Sequence, residues 1–90
     1  MDRQVTVLSD LIAPLMKQIL TLRERALGPE HPDVAHSLYD IGELLEGESK
    51  LDEAEIHYQR ALSIWERSCT SDHPCVRLAR LRLERLRAQS

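Results

Sequence analysis

Ninety residues with 42% hydrophobic and 30% charged side chains make one small globular domain at most and exclude a disordered profile. A net charge of −3 gives no general attraction to nucleic acid or an anionic membrane, and no apolar run approaches the ~20 residues of a membrane span. Phe is absent and only Tyr39, Tyr58 and Trp65 are aromatic, so the core falls to Leu, Ile, Val and Ala, a mixture that favours helices over sheets.

Along the chain, the first element is a helix beginning near Ser9 or Asp10, or an earlier one bent at Pro14, because proline is tolerated in an opening turn and kinks anything longer. The second spans about Pro32 to Gly47. Proline suits its first position, His31 is the preceding cap, and Asp33 favours the helix dipole. Its apolar line is Val34, Leu38, Ile41, Gly42 and Leu45, with Gly42 expected opposite Ala54 so that two backbones approach closely.

A third helix runs from about Lys50 to Ser68. Ser49 through Asp52 resembles a capping box, and Asp52, Glu53 and Glu55 load the first turn with negative charge. Ala54, Tyr58, Ala61, Trp65 and Ser68 recur at spacings of three and four beside a second line of Leu51, Leu62 and Cys69, so the buried sector is wide, as in a stacked array. Residues 74 to 89 form the last helix, with Val76, Ala79, Leu83 and Leu86 as its packing stripe. Arg77, Arg80, Arg82, Arg85 and Arg87 accompany them against Glu84 alone.

The chain repeats itself at an offset of 42 positions: Leu20 and Leu62, Glu24 and Glu66, Arg25 and Arg67, His31 and His73, Pro32 and Pro74, Val34 and Val76 are identical pairs. One period contains one helical hairpin. Leu38, Ile41, Gly42 and Leu45 followed by Ala54, Tyr58 and Ala61 fill the large, large, small, large and Ala, aromatic, Ala positions of the tetratricopeptide pattern. Together with the strings LRERALGPEHPDVA (22–35) and EAEIHYQRAL (53–62), they resemble the kinesin light chain variety of that repeat, which also occurs in nephrocystin-type proteins and signalling ATPases. The resemblance implies an all-α α-solenoid of about four helices: residues 1–28 as an unpaired helix of a preceding repeat, 32–69 as a complete hairpin, and 73–90 as a capping helix. Arg80 and Glu84 stand where a hairpin partner would need a large apolar and a small residue, so the last helix reads as a solvated cap.

His31 and His73 precede prolines at equivalent positions, which makes them turn and cap residues rather than catalysts or ligands. Cys69, His73 and Cys75 fall short of the four ligands at paired close spacings that zinc wants, so no metal or cofactor is expected. No nucleophile, base and orienting acid stand together and no phosphate loop is present, so the chain is not read as an enzyme. Without a secretory signal pattern the expected compartment is the reducing cytosol.

The resemblance implies a scaffold or adaptor that holds a peptide or partner protein on a concave face showing His36, Tyr39, Asp40, Glu43 and Glu46, followed by Leu78, Leu81 and Arg85. Asparagines usual in the family are replaced there by Tyr39 and Asp40, and Ser49 replaces a common turn glycine. Trp65 is expected to seal the junction with the last helix rather than to be a contact residue. The competing reading is self-association through the first helix, where Val5, Val7, Leu8, Leu11, Ile12, Leu15 and Leu22 offer more apolar surface than one neighbour covers. Nucleic-acid binding through the terminal arginines is a distant third, since no aromatics are interleaved with them.

Overall fold

The computed structural model describes residues 2–68 and 73–89, with side chains from residue 11 onward. Four helices follow one another: α1 (Asp2–Leu27), α2 (Pro32–Gly47), α3 (Leu51–Ser68) and α4 (Pro74–Gln89). Each packs on the next in sequence, and the α2–α3 contact is the most extensive. Helix α1 takes the earlier of the two starts that the sequence allows and carries Pro14 in its interior. Pro14 is exposed, and its ring leaves one carbonyl of the preceding turn without its helical donor.

The starts and stops of the central helices have local causes. The His31 ring accepts the Asp33 N–H at its Nδ1 (3.0 Å), and His73 does the same for the Cys75 N–H (3.2 Å), so both histidines cap the helices that follow them. Gly28, at φ 93°, closes α1 with its N–H donated to the Glu24 carbonyl.

The turn between α2 and α3 differs from the sequence expectation. Ser49 is not the cap of α3; it is the left-handed residue that ends α2, at φ 65°, with its N–H donated to the Glu46 carbonyl and the Lys50 N–H donated to the Leu45 carbonyl. This pair of bonds is the Schellman arrangement, which selects glycine because a Cβ crowds the backbone there. Lys50 then supplies the carbonyl for the first turn of α3, accepting from the Ala54 N–H.

Val34, Leu38, Ile41 and Leu45 of α2 are buried against Ala54, Tyr58, Ala61, Leu62 and Trp65 of α3, and Val76, Ala79, Leu83 and Leu86 close the core from α4. Met16 and Leu20 pack against it from α1. Ser68, expected on the buried line, is exposed, and Cys69 lies outside the described residues. Gly42 lies against Tyr58: a Cβ on Gly42 would stand 2.7 Å from the Tyr58 Cε1 atom.

Two substitutions should therefore move stability in opposite directions. Ser49→Gly relieves the left-handed cost and should stabilise the fold by roughly 1 kcal/mol. Gly42→Ala presses a methyl group into a fully buried ring and should destabilise it by about 1–3 kcal/mol. Thermal melts of both variants beside the native chain check the two signs.

Candidate functional site

The expected contact residues divide into two groups once their side chains are placed. On α2, His36, Asp40 and Glu43 share an exposed face; on α4, Leu78, Leu81 and Arg85 are exposed, the leucines at 44% and 62%. Tyr39 and Glu46 do not join them. Tyr39 is 7% exposed, its ring 5.2 Å from that of Tyr58 and 5.8 Å from that of Trp65. It is a core residue whose asparagine-like position in the family pattern gave no hint of burial. Trp65 is likewise buried, edge-on to His36 at 5.2 Å, so it seals α3 against α2.

Arginines of α4 reach over these rings to the acids of α2. Arg82 pairs with Glu43 (3.1 Å) and Glu46 (3.5 Å), and Arg85 donates to Glu46 at 2.6 Å. The Arg82 guanidinium carbon also lies 5.8 Å from the Tyr39 ring centroid, within cation–π range. Sequence reasoning treated the acids as a free groove and the arginines as a solvated cap. The missed signal was the repeat itself: at the 42-residue offset Arg82 follows Asp40 and Arg85 follows Glu43, so equivalent positions on adjacent first helices carry opposite charge.

Glu46 is the hub of this contact. It is 15% exposed, and besides both arginines it accepts a hydrogen bond from the Tyr58 hydroxyl at 2.9 Å. Burial alone would raise the Glu46 pKa, but the hydrogen bonds from Arg85 and Tyr58 and the arginine charges outweigh it and hold the carboxyl below the ordinary 4.5. Burial and the neighbouring carboxylate push the Tyr58 hydroxyl the other way, well above the tyrosine range. Burial also raises Tyr39, against the opposing charge of Arg82.

Two more of the α4 arginines are engaged as well. Arg80 pairs with Glu66 at 2.8 Å and Arg87 with Glu55 at 3.4 Å, which turns much of the arginine charge inward on the array rather than outward to a polyanion. At the other end, Arg23 ties α1 to α2 by donating to the Asp33 carbonyl and, at 2.8 Å, to the buried Ser37 hydroxyl. On the outer side of α3 a depression of about 540 Å³ is lined by Pro29, Ile56, Gln59 and Ser63 among others.

Among the described residues no group of three His, Cys, Asp or Glu side chains could hold a metal ion, and no helix is long and apolar enough to cross a membrane. Cys69, part of the only cysteine–histidine cluster in the sequence, lies outside those residues.

A helical hairpin with single helices stacked on either side, related by a sequence repeat, defines an all-α repeat array of the kind that presents an extended face to other polypeptides. The family profile described as Tetratricopeptide repeat matches residues 10–67, more than half of the chain, and the chain belongs to that family. A search of curated proteins finds no significant match. Repeats of this family are in general protein-interaction modules without catalytic activity.

The Glu46 geometry sets an acid dependence. A carboxylate whose pKa is depressed by folding contributes stability that is fully present above its unfolded value and is lost as pH falls through the folded one. The melting temperature should therefore lose this contribution only below about pH 4.5. Glu46→Gln should cost about 1–3 kcal/mol at pH 7, the usual worth of hydrogen bonds to a charged group, and should flatten the acid limb. Melts from pH 7 to pH 3 on both proteins read the difference.

Proposed function

We propose that this chain is a non-catalytic scaffold of the kinesin light chain repeat type, acting in the cytosol, which holds a partner polypeptide on the concave face formed by α2 and α4. The observation that carries the reading is the pair of adjoining strips: His36, Asp40 and Glu43 exposed on α2, and Leu78 and Leu81 exposed on α4, bridged by the Arg82–Glu43 pair. Large apolar side chains open to solvent beside fixed charges make a peptide site with anchors and orientation.

The charge of the strip narrows the partner. Glu46 is consumed within the fold and Glu43 is shared with Arg82, so the acid that faces outward with no ion pair among the described residues is Asp40. An apolar residue set on Leu78 and Leu81, with a Lys or Arg reaching Asp40 and competing with Arg82 for Glu43, fits this surface. An acidic tail would meet Asp40 and Glu43 and lose hydration without compensation. Tyr39 and Glu46 support the face from beneath.

A second reading, self-association through α1, is favoured by Leu11, Leu15 and Leu22, which stand 64%, 58% and 64% exposed on one helix.

A peptide array of basic-apolar and acidic-tail sequences tests the first reading. The native chain should select basic-apolar peptides, Leu81→Asp should weaken them by on the order of 10-fold or more, and Glu43→Lys should weaken them further. Selection of acidic tails, or indifference to Leu81→Asp, would show that the partner is held elsewhere.

A further inference from the structure

Helix α1 carries an apolar line that the array leaves largely open to solvent. Within its 26 residues, Val5, Ile12, Ile19 and Ala26 recur every seven positions, and Leu8, Leu15 and Leu22 recur every seven between them, giving alternating spacings of three and four. Written as a heptad, the first set takes a and the second takes d. The described members of the line are open to solvent, Ile12 and Ile19 at 42% and 46%, Leu15 and Leu22 at 58% and 64%. The centre of this line lies roughly 100° around the helix from Met16 and Leu20, which pack against the core, while its Ile19 edge borders the α1–α2 groove beside Met16, Arg23, Ser37 and Asp40.

The sequence repeat decides what can cover it. In the intact hairpin α3 receives α2 through Ala54, Tyr58 and Ala61, and the approach is close enough that Gly42 has no room for a Cβ against Tyr58. One period earlier α1 has Ile12, Met16 and Ile19, which puts β-branched bulk where the hairpin needs alanine. A first helix of the ordinary kind is therefore kept at a distance. The α4 helix of another copy is no better: the positions equivalent to Leu38, Gly42 and Leu45 hold Arg80, Glu84 and Arg87, which would bring charges onto the seam.

A second α1 has neither fault. β-Branched residues at a with leucine at d are the pattern that favours two parallel strands. Across such a pair Leu11 lies opposite Met16 and Gln18 opposite Arg23, so no like charges oppose each other. We propose that α1 pairs with α1 of a second copy as a parallel two-stranded coiled coil centred on Ile12, Leu15, Ile19 and Leu22. The pairing is self-complementary and closes at two chains. It rests on the self-association reading above and adds the seam, the direction and the stoichiometry.

Sedimentation equilibrium of the whole chain tests the stoichiometry, and point variants test the seam. The native chain should follow a monomer–dimer equilibrium with no larger species. Leu15→Glu and Leu22→Glu should each weaken the dimer by on the order of 100-fold, because both copies lose a buried leucine, with helix content unchanged. Ile56→Glu, on the outer side of α3, should leave the dimer intact. For direction, Leu22→Cys in a Cys69→Ser, Cys75→Ala background should oxidise to a disulfide-linked dimer, since a parallel register sets each d residue beside its own counterpart, whereas Lys17→Cys should not. A monomer at high micromolar concentration overturns both the seam and self-association. A dimer indifferent to Leu15→Glu and Leu22→Glu overturns the seam and leaves self-association standing; open-ended polymers or a Leu22→Cys dimer that does not cross-link overturn the parallel pair.

Discussion

The contact between Tyr58 and Gly42 is the constraint on which the rest of the molecule depends. Because α2 offers no side chain at that point, the Tyr58 ring lies against its backbone, and the phenol is carried through the core to Glu46 on the far side. The hydrogen bond it donates there helps keep Glu46 ionised despite its burial. An ionised Glu46 in turn draws Arg85 and Arg82 across from α4. One close helix contact thus fixes the carboxylate that two α4 arginines reach and which charges remain for a partner, on a last helix that Val76, Ala79, Leu83 and Leu86 seat in the core.

The same chain of contacts explains a division of labour between faces. Tyr39 and Trp65 are withdrawn into the α2–α3 interface, leaving His36, Asp40 and Glu43 outside on α2. The α4 arginines neutralise acids inside the array while Leu78 and Leu81 stay open. A surface with fixed, internally balanced charge and free apolar anchors loses little ordering entropy on binding, since its polar groups are already held.

Much of the fold was legible because the repeat states it twice. The spans of α2 and α4, the His31 and His73 caps and the Val76, Ala79, Leu83, Leu86 stripe all follow from spacing and capping chemistry alone. Ser49 was misread because a serine before an acid-rich turn has the pattern of an N-cap, whereas the hydrogen bonds that end α2 required a left-handed residue at that point. For the start of α1 the sequence leaves two readings, because Pro14 suits an opening turn as well as the interior of an earlier helix, and the continuous helix from Asp2 selects the earlier start. At the site, the family resemblance puts Tyr39 on the concave face with His36 and Glu43; only the tertiary packing of its ring against Tyr58 and Trp65 shows it inside. The withdrawal of Glu46 depends on arginines 36 and 39 residues away in sequence.

The central claim, that a partner is held on the α2–α4 face, is tested most directly by mapping amide chemical shifts of the labelled chain during titration with a basic-apolar peptide. The account places the perturbed residues at His36, Asp40, Glu43, Leu78 and Leu81, with Arg82 shifting as the peptide's basic group displaces it from Glu43. Perturbations confined to Ile56, Gln59 and Ser63 on the outer side of α3 would contradict it.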